Sequence, residues 1–293
     1  MRNAALPRRH ALAVLAAGLA SCSRQLSAVA GSQDGAERML LAEIAARMLE
    51  KNAQAKVERR LGLGDSSALF QAIQNGDVQV YPEYARMGYK VYFKQEEPID
   101  EAMSTEKLRG LFRTNALSEW LGPLGFESNH MVLGLRSNPL LQGVATMGEL
   151  VAKGERWTLG FTSEFSQSIE GYAAMKNAYP VAEKGAPRIE PLGQLYFGLN
   201  ERRMDLLVTT TTDPLAYEDR YLLLGDDRRA FAGNRASYLV RGRTPEEEGK
   251  LLEALRPLLG KLDEAKMRAL NGAVLRDKRS VEEVAAEFVA SLA

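Results

Sequence analysis

Four of the chain's ten tyrosines, Tyr81, Tyr84, Tyr89 and Tyr92, fall within VQVYPEYARMGYKVYF at residues 78–93. Rings at that density form either a packed core or the wall of a binding site. Four consecutive threonines, Thr209–Thr212, offer hydroxyls to a ligand. They lack the glycines and lysine of a phosphate-binding loop. β-Propensity accounts for Thr209, and Thr210, Thr211 and Thr212 turn out of a strand end where a ligand can be met. His130 is the only histidine beyond the N-terminal segment, and a lone histidine more often packs than reacts. There is no serine–histidine pair in a nucleophile motif, no metal-ligand spacing and no cofactor fingerprint. Binding is therefore expected rather than catalysis, with no metal and no cofactor.

The length, 293 residues with 45% hydrophobic and 26% charged side chains, suits a globular protein of two lobes. The N-terminus reads as an export signal over residues 1–21: Arg2, Arg8 and Arg9 precede the short apolar run ALAVLAAGLA. Leu19-Ala20-Ser21-Cys22 has the form of a bacterial lipoprotein cleavage box, so Cys22 is expected to carry lipid and residues 22–25 to act as a tether. The twin arginines also fit a twin-arginine signal. Cys22 is the single cysteine, which leaves the exported domain without an internal disulfide. Removing residues 1–21 takes away three arginines and no acid, leaving 35 basic against 38 acidic residues, a net charge of −3. No basic stripe marks a nucleic-acid surface.

Helix and strand patterns alternate along the rest of the chain. SQDGAERMLLAEIAARMLEKN predicts a helix capped by Ser32, with Leu41, Ile44, Ala45 and Met48 on one face. AKVERRLGLG alternates like a strand, DSSALFQAIQNGD is a capped helix ending at Asn75-Gly76, and VQVY is a strand closed by Tyr81-Pro82. This β-α-β order implies a parallel sheet with ligands met at the carboxyl ends of its strands. Tyr84 stands at such an end; Tyr89 and Tyr92 run on into the next helix as packing. Further strands are expected at GFESNHMVLGLRSN, with Met131, Leu133 and Leu135 on one side, and at RWTLGFTSEF, DLLVTTTTDP, YLLLGDD and SYLVRG. Helices are expected at TMGELVAKG, GYAAMKNAY and PLGQLYFGLNERRM. Three more follow Thr244, Asp263 and Ser280.

VAGSQDGAERMLLAEIAARMLE, KVERRLGLGDSSALFQAIQNGDVQVYPEY, GFTSEFSQSIEGYAAMKNAY, MDLLVTTTTDPLA and LDEAKMRALNGAVLRDKRSVEEVAAEFV together resemble the extracytoplasmic binding proteins of bacterial osmoprotectant ABC transporters. Those proteins bind glycine betaine, choline and related quaternary ammonium compounds. The resemblance implies a type II periplasmic-binding-protein fold: two α/β lobes, with parallel or mixed sheets flanked by helices, joined by two crossing strands. Lobe one would comprise residues 26–132 plus 236–293, and lobe two residues 133–235.

A quaternary ammonium group has no N–H to donate, so proteins hold it by cation–π contact. By the resemblance, Tyr84 is the box tyrosine, while Ala85-Arg86-Met87 replaces the usual Thr-Gly-Thr after it. The other three box tyrosines fall on His130, Thr210 and Asn234. The family's lysine falls on Gln33 and its arginine on Ser168. A pocket read by Gln33, His130, Ser168, Thr210, Thr211 and Asn234 beside Tyr84 would be small, neutral and hydrogen-bonding. It would suit a more polar solute than betaine. A different register around residues 230–238 would bring Phe231 or Tyr238 into the box instead. A neutral imidazole at His130 suits a cation better than an imidazolium, so betaine binding is expected to weaken in acid.

The resemblance implies a non-enzymatic receptor that hands a small zwitterionic or polar solute to an ABC permease and its ATPase. It would sit outside the cytoplasm, tethered to a membrane through its lipid. The alternatives are the same fold with a pocket for a non-quaternary polar ligand, and a degenerate sensory or interaction protein.

Overall fold

A computed structural model of the chain describes residues 25–95 and 101–292. Cys22 and the expected export signal lie outside the described residues. The first lobe opens with β1 (Ser27–Gly31), α1 (Ala36–Ala53), β2 (Lys56–Arg60), α2 (Ser66–Asn75), β3 (Val80–Tyr84), α3 (Glu101–Ala116) and β4 (Glu119–Trp120). The second holds β5 (His130–Leu135), α4 (Met147–Ala152), β6 (Arg156–Trp157), β7 (Leu159–Phe161), α5 (Ser163–Gln167) and α6 (Ala174–Ala178). It continues through β8 (Ala182–Glu183), β9 (Arg188–Ile189), α7 (Leu192–Asn200), β10 (Leu206–Thr210) and β11 (Tyr221–Leu224). The chain then returns to the first lobe as β12 (Ala236–Val240), α8 (Pro245–Leu255), α9 (Glu264–Leu275) and α10 (Val281–Ser291).

Two mixed five-stranded sheets result, ordered β2-β1-β3-β12-β4 and β11-β5-β10-β7-β9, with β6 and β8 pairing separately. β1 runs parallel to β2 and β3, while β12 is antiparallel to β3. In the second sheet β10 is antiparallel to β5 and parallel to β7. The two passages between lobes lie side by side, joined by an antiparallel bridge between Glu127 and Arg235. This is the two-lobed α/β architecture expected.

α1 is the buried spine of the first lobe. Leu40, Leu41, Ile44, Ala45, Met48 and Leu49 pack in one core with Val284, Phe288 and Leu255 from the C-terminal helices. Glu43 on the same helix is 1% exposed and neutralised by Arg47 at 2.8 Å and Arg59 at 2.9 Å. A buried carboxylate without such partners would cost several kcal/mol, on the order of 3–5. The expected caps hold at Asp65, Thr244, Asp263 and Ser280, each accepting a backbone N–H three residues on.

Three local expectations are corrected, and one stretch adds elements. Ser32 does not cap α1: it is buried at the end of β1, its N–H donates to Arg60 O, and the helix starts after Gly35 at φ 113°. That backbone position is open to glycine and strained for other residues. Pro82 does not close β3, which runs to Tyr84. Ala85 N–H donates to Arg235 O, so alternation puts the missing Pro82 donor on the β1 side, where pairing reaches only Ala30↔Val80. SEF after β7 is helical, because Thr162 accepts from Phe165 N and starts α5. Finally, α3 and β4 occupy a stretch for which the sequence pattern yields no element. Among the described side chains of α3, only Leu108, Phe112 and Ala116, four apart, are buried, a stripe too narrow to stand out.

Candidate ligand-binding site

A cavity of about 420 Å³ lies where the two lobes face each other. Its size falls in the range of small-molecule sites, roughly 300–1,000 Å³. The carboxyl end of β3 contributes Tyr84 and the following turn Arg86. The first turn of α1 contributes Glu37 and Arg38, and α9 contributes Asn271. From the other side come His130 of β5, Glu164 and Phe165 of α5, Ser168, Glu170, Thr210 of β10, Phe231 and Asn234.

Three phenyl or phenol rings, Tyr84, Phe165 and Phe231, therefore line the cavity. His130 packs edge-on between two of them, its centroid 4.7 Å from Phe165 and 5.8 Å from Phe231, with planes near perpendicular at 80° and 85°. The Tyr84 hydroxyl donates to Glu37 Oε1 at 2.5 Å, and Asn271 Nδ2 donates to Glu37 Oε2 at 2.7 Å. The guanidinium of Arg38 stands 5.5 Å from the Tyr84 ring centroid and pairs with Glu164 of the second lobe at 2.7 Å. Arg86 pairs with Glu170 across the same cleft and donates to Ala232 O at 2.9 Å.

Five of the expected site residues reach this cavity: Tyr84, His130, Ser168, Thr210 and Asn234. Gln33 and Thr211 do not line it. Gln33 Nε2 donates to Ser66 Oγ at 2.7 Å, tying the end of β1 to α2. The Thr211 hydroxyl donates to Glu127 O at 3.2 Å and accepts from Asn129 N, locking the two passages between lobes. Asn234 shares that work, donating to Ser128 O at 2.8 Å.

The neutral pocket expected from the sequence is not the one the chain builds. Glu37, Arg38, Arg86, Glu164, Glu170 and the ring of Phe165 were all missed. Glu37 and Arg38 follow the carboxyl end of β1, so the strand-end rule applied to β3 locates them as well. Phe165 carried no local signal, because SEF read as a strand end. Phe231 enters as the alternative register allowed, whereas Tyr238 stays in the core and donates to Leu41 O.

Burial pushes the His130 imidazole down to about 4; the Glu164 charge opposes this and the Arg86 and Arg38 charges add to it. The ring is neutral near pH 7, and the loss in acid expected from its protonation falls near pH 4. Burial pushes the Glu83 carboxyl up to about 7, against hydrogen bonds donated by Tyr92 Oη and Tyr84 N and the attraction of Arg38.

Gly171 aims one wall. Its backbone sits at φ −99°, ψ −117°, inside the turn joining α5 to α6, and a Cβ there would fall well inside van der Waals contact of the Phe165 carbonyl. Gly171→Ala is expected to lower stability by about 2 kcal/mol and the melting temperature by several degrees, read by thermal denaturation. An unchanged melting temperature would show that the turn relaxes freely.

The fold and the cleft define a two-lobed solute-binding protein. The chain matches the family model described as the substrate binding domain of ABC-type glycine betaine transport systems over residues 28–291, and it belongs to that family. It is the extracytoplasmic, solute-capturing component of an ABC importer, and membership of the family implies the importer's permease and ATPase subunits as its partners. The chain is 26% identical over 269 residues to a glycine-betaine-binding protein of Pseudomonas aeruginosa, covering 88% of this chain and 86% of that one. It is 22% identical over 265 residues to an ergothioneine transport permease/ergothioneine binding protein of Helicobacter pylori, covering 90% of this chain and 47% of the other. A crystal structure described as a glycine betaine/carnitine/choline ABC transporter superposes with a TM-score of 0.73 at 19% identity, covering 91% and 98% of the two chains.

Proposed function

We propose that the cleft captures a zwitterion of the betaine class. Its cationic head would sit among Tyr84, Phe165 and Phe231, and its carboxylate would meet Arg38. The observation that carries this reading is the meeting of rings from both lobes with a guanidinium in one cavity. Each ring is worth roughly 0.5–2 kcal/mol to a desolvated cation. The lining residues hold five carboxyl groups, Glu37, Glu83, Glu164, Glu170 and Asp213, against the two guanidinium groups of Arg38 and Arg86. This excess further favours a positive head.

Ligand contacts from both lobes favour a closed arrangement over an open one. The lobes would be residues 26–132 with 236–293 and residues 133–235, with β5 (His130–Leu135) taken wholly into the second. Among the expected site residues, Tyr84, His130, Ser168, Thr210 and Asn234 serve the pocket, while Gln33 and Thr211 support its frame. Lipid on Cys22, supported by the Leu-Ala-Ser-Cys box, would tether the receptor beside its permease.

The test is a thermal-shift series with glycine betaine, choline, free amino acids and sugars. A ligand at 100 times its dissociation constant adds about 2.7 kcal/mol, a shift of a few degrees. Stabilisation by betaine or another quaternary ammonium zwitterion is expected. A shift confined to amino acids or sugars would replace the class of solute, and no shift across the series would point to a degenerate receptor.

A further inference from the structure

Of the three phenyl or phenol rings that line the cavity, only that of Tyr84 carries a hydroxyl, and this hydroxyl donates to a carboxylate, Glu37 Oε1, at 2.5 Å. The second oxygen of Glu37 accepts from Asn271 Nδ2 at 2.7 Å. Donors on both oxygens, and a place in the first turn of the 18-residue helix α1, favour the ionised form of this carboxyl. Tyr84 is 5% exposed, so water does little to screen the pair. The bond also fixes the ring, because β3, α1 and α9 all meet at the one carboxylate.

A phenol that donates to a carboxylate is polarised: electron density moves from the O–H bond into the ring, and the negative face that attracts a cation deepens. Phe165 and Phe231 have no hydroxyl through which this can happen. The Tyr84 ring already draws one positive group, the guanidinium of Arg38 at 5.5 Å from its centroid. We infer that Glu37 is a positioning residue that determines specificity: acting through the Tyr84 hydroxyl, it holds the ring and makes it the wall that selects a positively charged head over a neutral one of the same shape. This rests on the betaine-class reading and assigns its charge selection to one side chain.

Calorimetric titration with glycine betaine and with 3,3-dimethylbutanoate, the same molecule with carbon in place of the quaternary nitrogen, separates charge from shape. Choline and 3,3-dimethylbutan-1-ol form a second such pair. In Glu37→Gln, which keeps the side-chain length and removes the charge, the affinity for the cationic member is expected to fall about tenfold while that for the neutral-headed member does not fall. Tyr84→Phe keeps the ring and removes the hydroxyl, and should cost about the same tenfold. The double variant should lose no more than either single one, because both substitutions break one path. General damage lowers both affinities of a pair together, and an unchanged ratio in Glu37→Gln would overturn the inference. So would additive losses, about 100-fold in the double variant, which would put Glu37 against the head directly. Where the neutral-headed member binds too weakly to titrate, additivity in the cationic member alone decides. Failure of the wild-type protein to bind glycine betaine or choline would instead overturn the betaine-class reading beneath it.

Discussion

Arg38→Ala is expected to lower the affinity for glycine betaine about 100-fold while changing that for choline less than about threefold. Arg38 reaches the cavity from the first turn of α1, with one nitrogen on Glu164 and Nε without a partner among the described residues. A carboxylate entering the cleft meets the rest of the side chain, which is 22% exposed. Removing one member of a buried, hydrogen-bonded charge pair costs about 2–5 kcal/mol, much of it from the charge left behind. Choline has no carboxylate and so serves as the internal control. Titration of both ligands against both proteins gives the ratio directly. The opposite sign has a clear meaning too. Arg38 stands 5.5 Å from the Tyr84 ring centroid, within cation–π reach. If its role is to occupy that face until a solute displaces it, Arg38→Ala would tighten choline binding and spare betaine.

Glu83→Gln is expected to change the pH dependence of stability by about 3 kcal/mol, the size of a shift from 4.5 to about 7 in a buried carboxyl. The folded value lies above the unfolded one, so the folded state holds the proton more tightly. The stability this contributes is fully present below pH 4.5 and is lost as pH rises through about 7. His130 works in the other direction. Its folded value is depressed from 6.5 to about 4, so its contribution is present above pH 6.5 and is lost as pH falls through about 4. Over most of the shared window the two offset each other, and the wild-type protein should show little net slope from this pair. Glutamine cannot ionise, which leaves the His130 slope exposed. Urea denaturation across this range should show Glu83→Gln gaining on the wild type as pH rises from 4.5 to 7. A stability difference that does not vary with pH would mean that Glu83 is ionised throughout.

Much of the fold was legible because local rules decided it. Asp65 before a short helix and Gly76 after it, Thr244 ahead of proline, and the alternation of Met131, Leu133 and Leu135 are contacts within a few residues of themselves. They survive whatever the rest of the chain does. Pro82 shows where such rules stop, since a proline is tolerated in β3 only because β1 ends beside it, fifty residues earlier in the sequence. The site shows the same limit more sharply. Tyr84 was found from its strand end, but Phe165 sits on a five-residue helix whose start depends on one threonine cap. Gln33, two residues beyond β1, was placed in the pocket by position, yet the chain turns it toward Ser66 instead.

The sequence by itself determined the order of helices and strands, the two-lobed family to which they belong, and the tyrosine that anchors the cleft. Each of those is written in spacing, caps or a contiguous motif. Only the tertiary structure decided the chemistry of the pocket. Phe165 and Phe231 line one cavity with Tyr84, Arg38 meets Glu164, and Asn271 meets Glu37 from segments 81 to 234 residues apart. Which face of a helix looks into a cleft depends on how the lobes pack, and periodicity along one segment carries no record of what stands opposite.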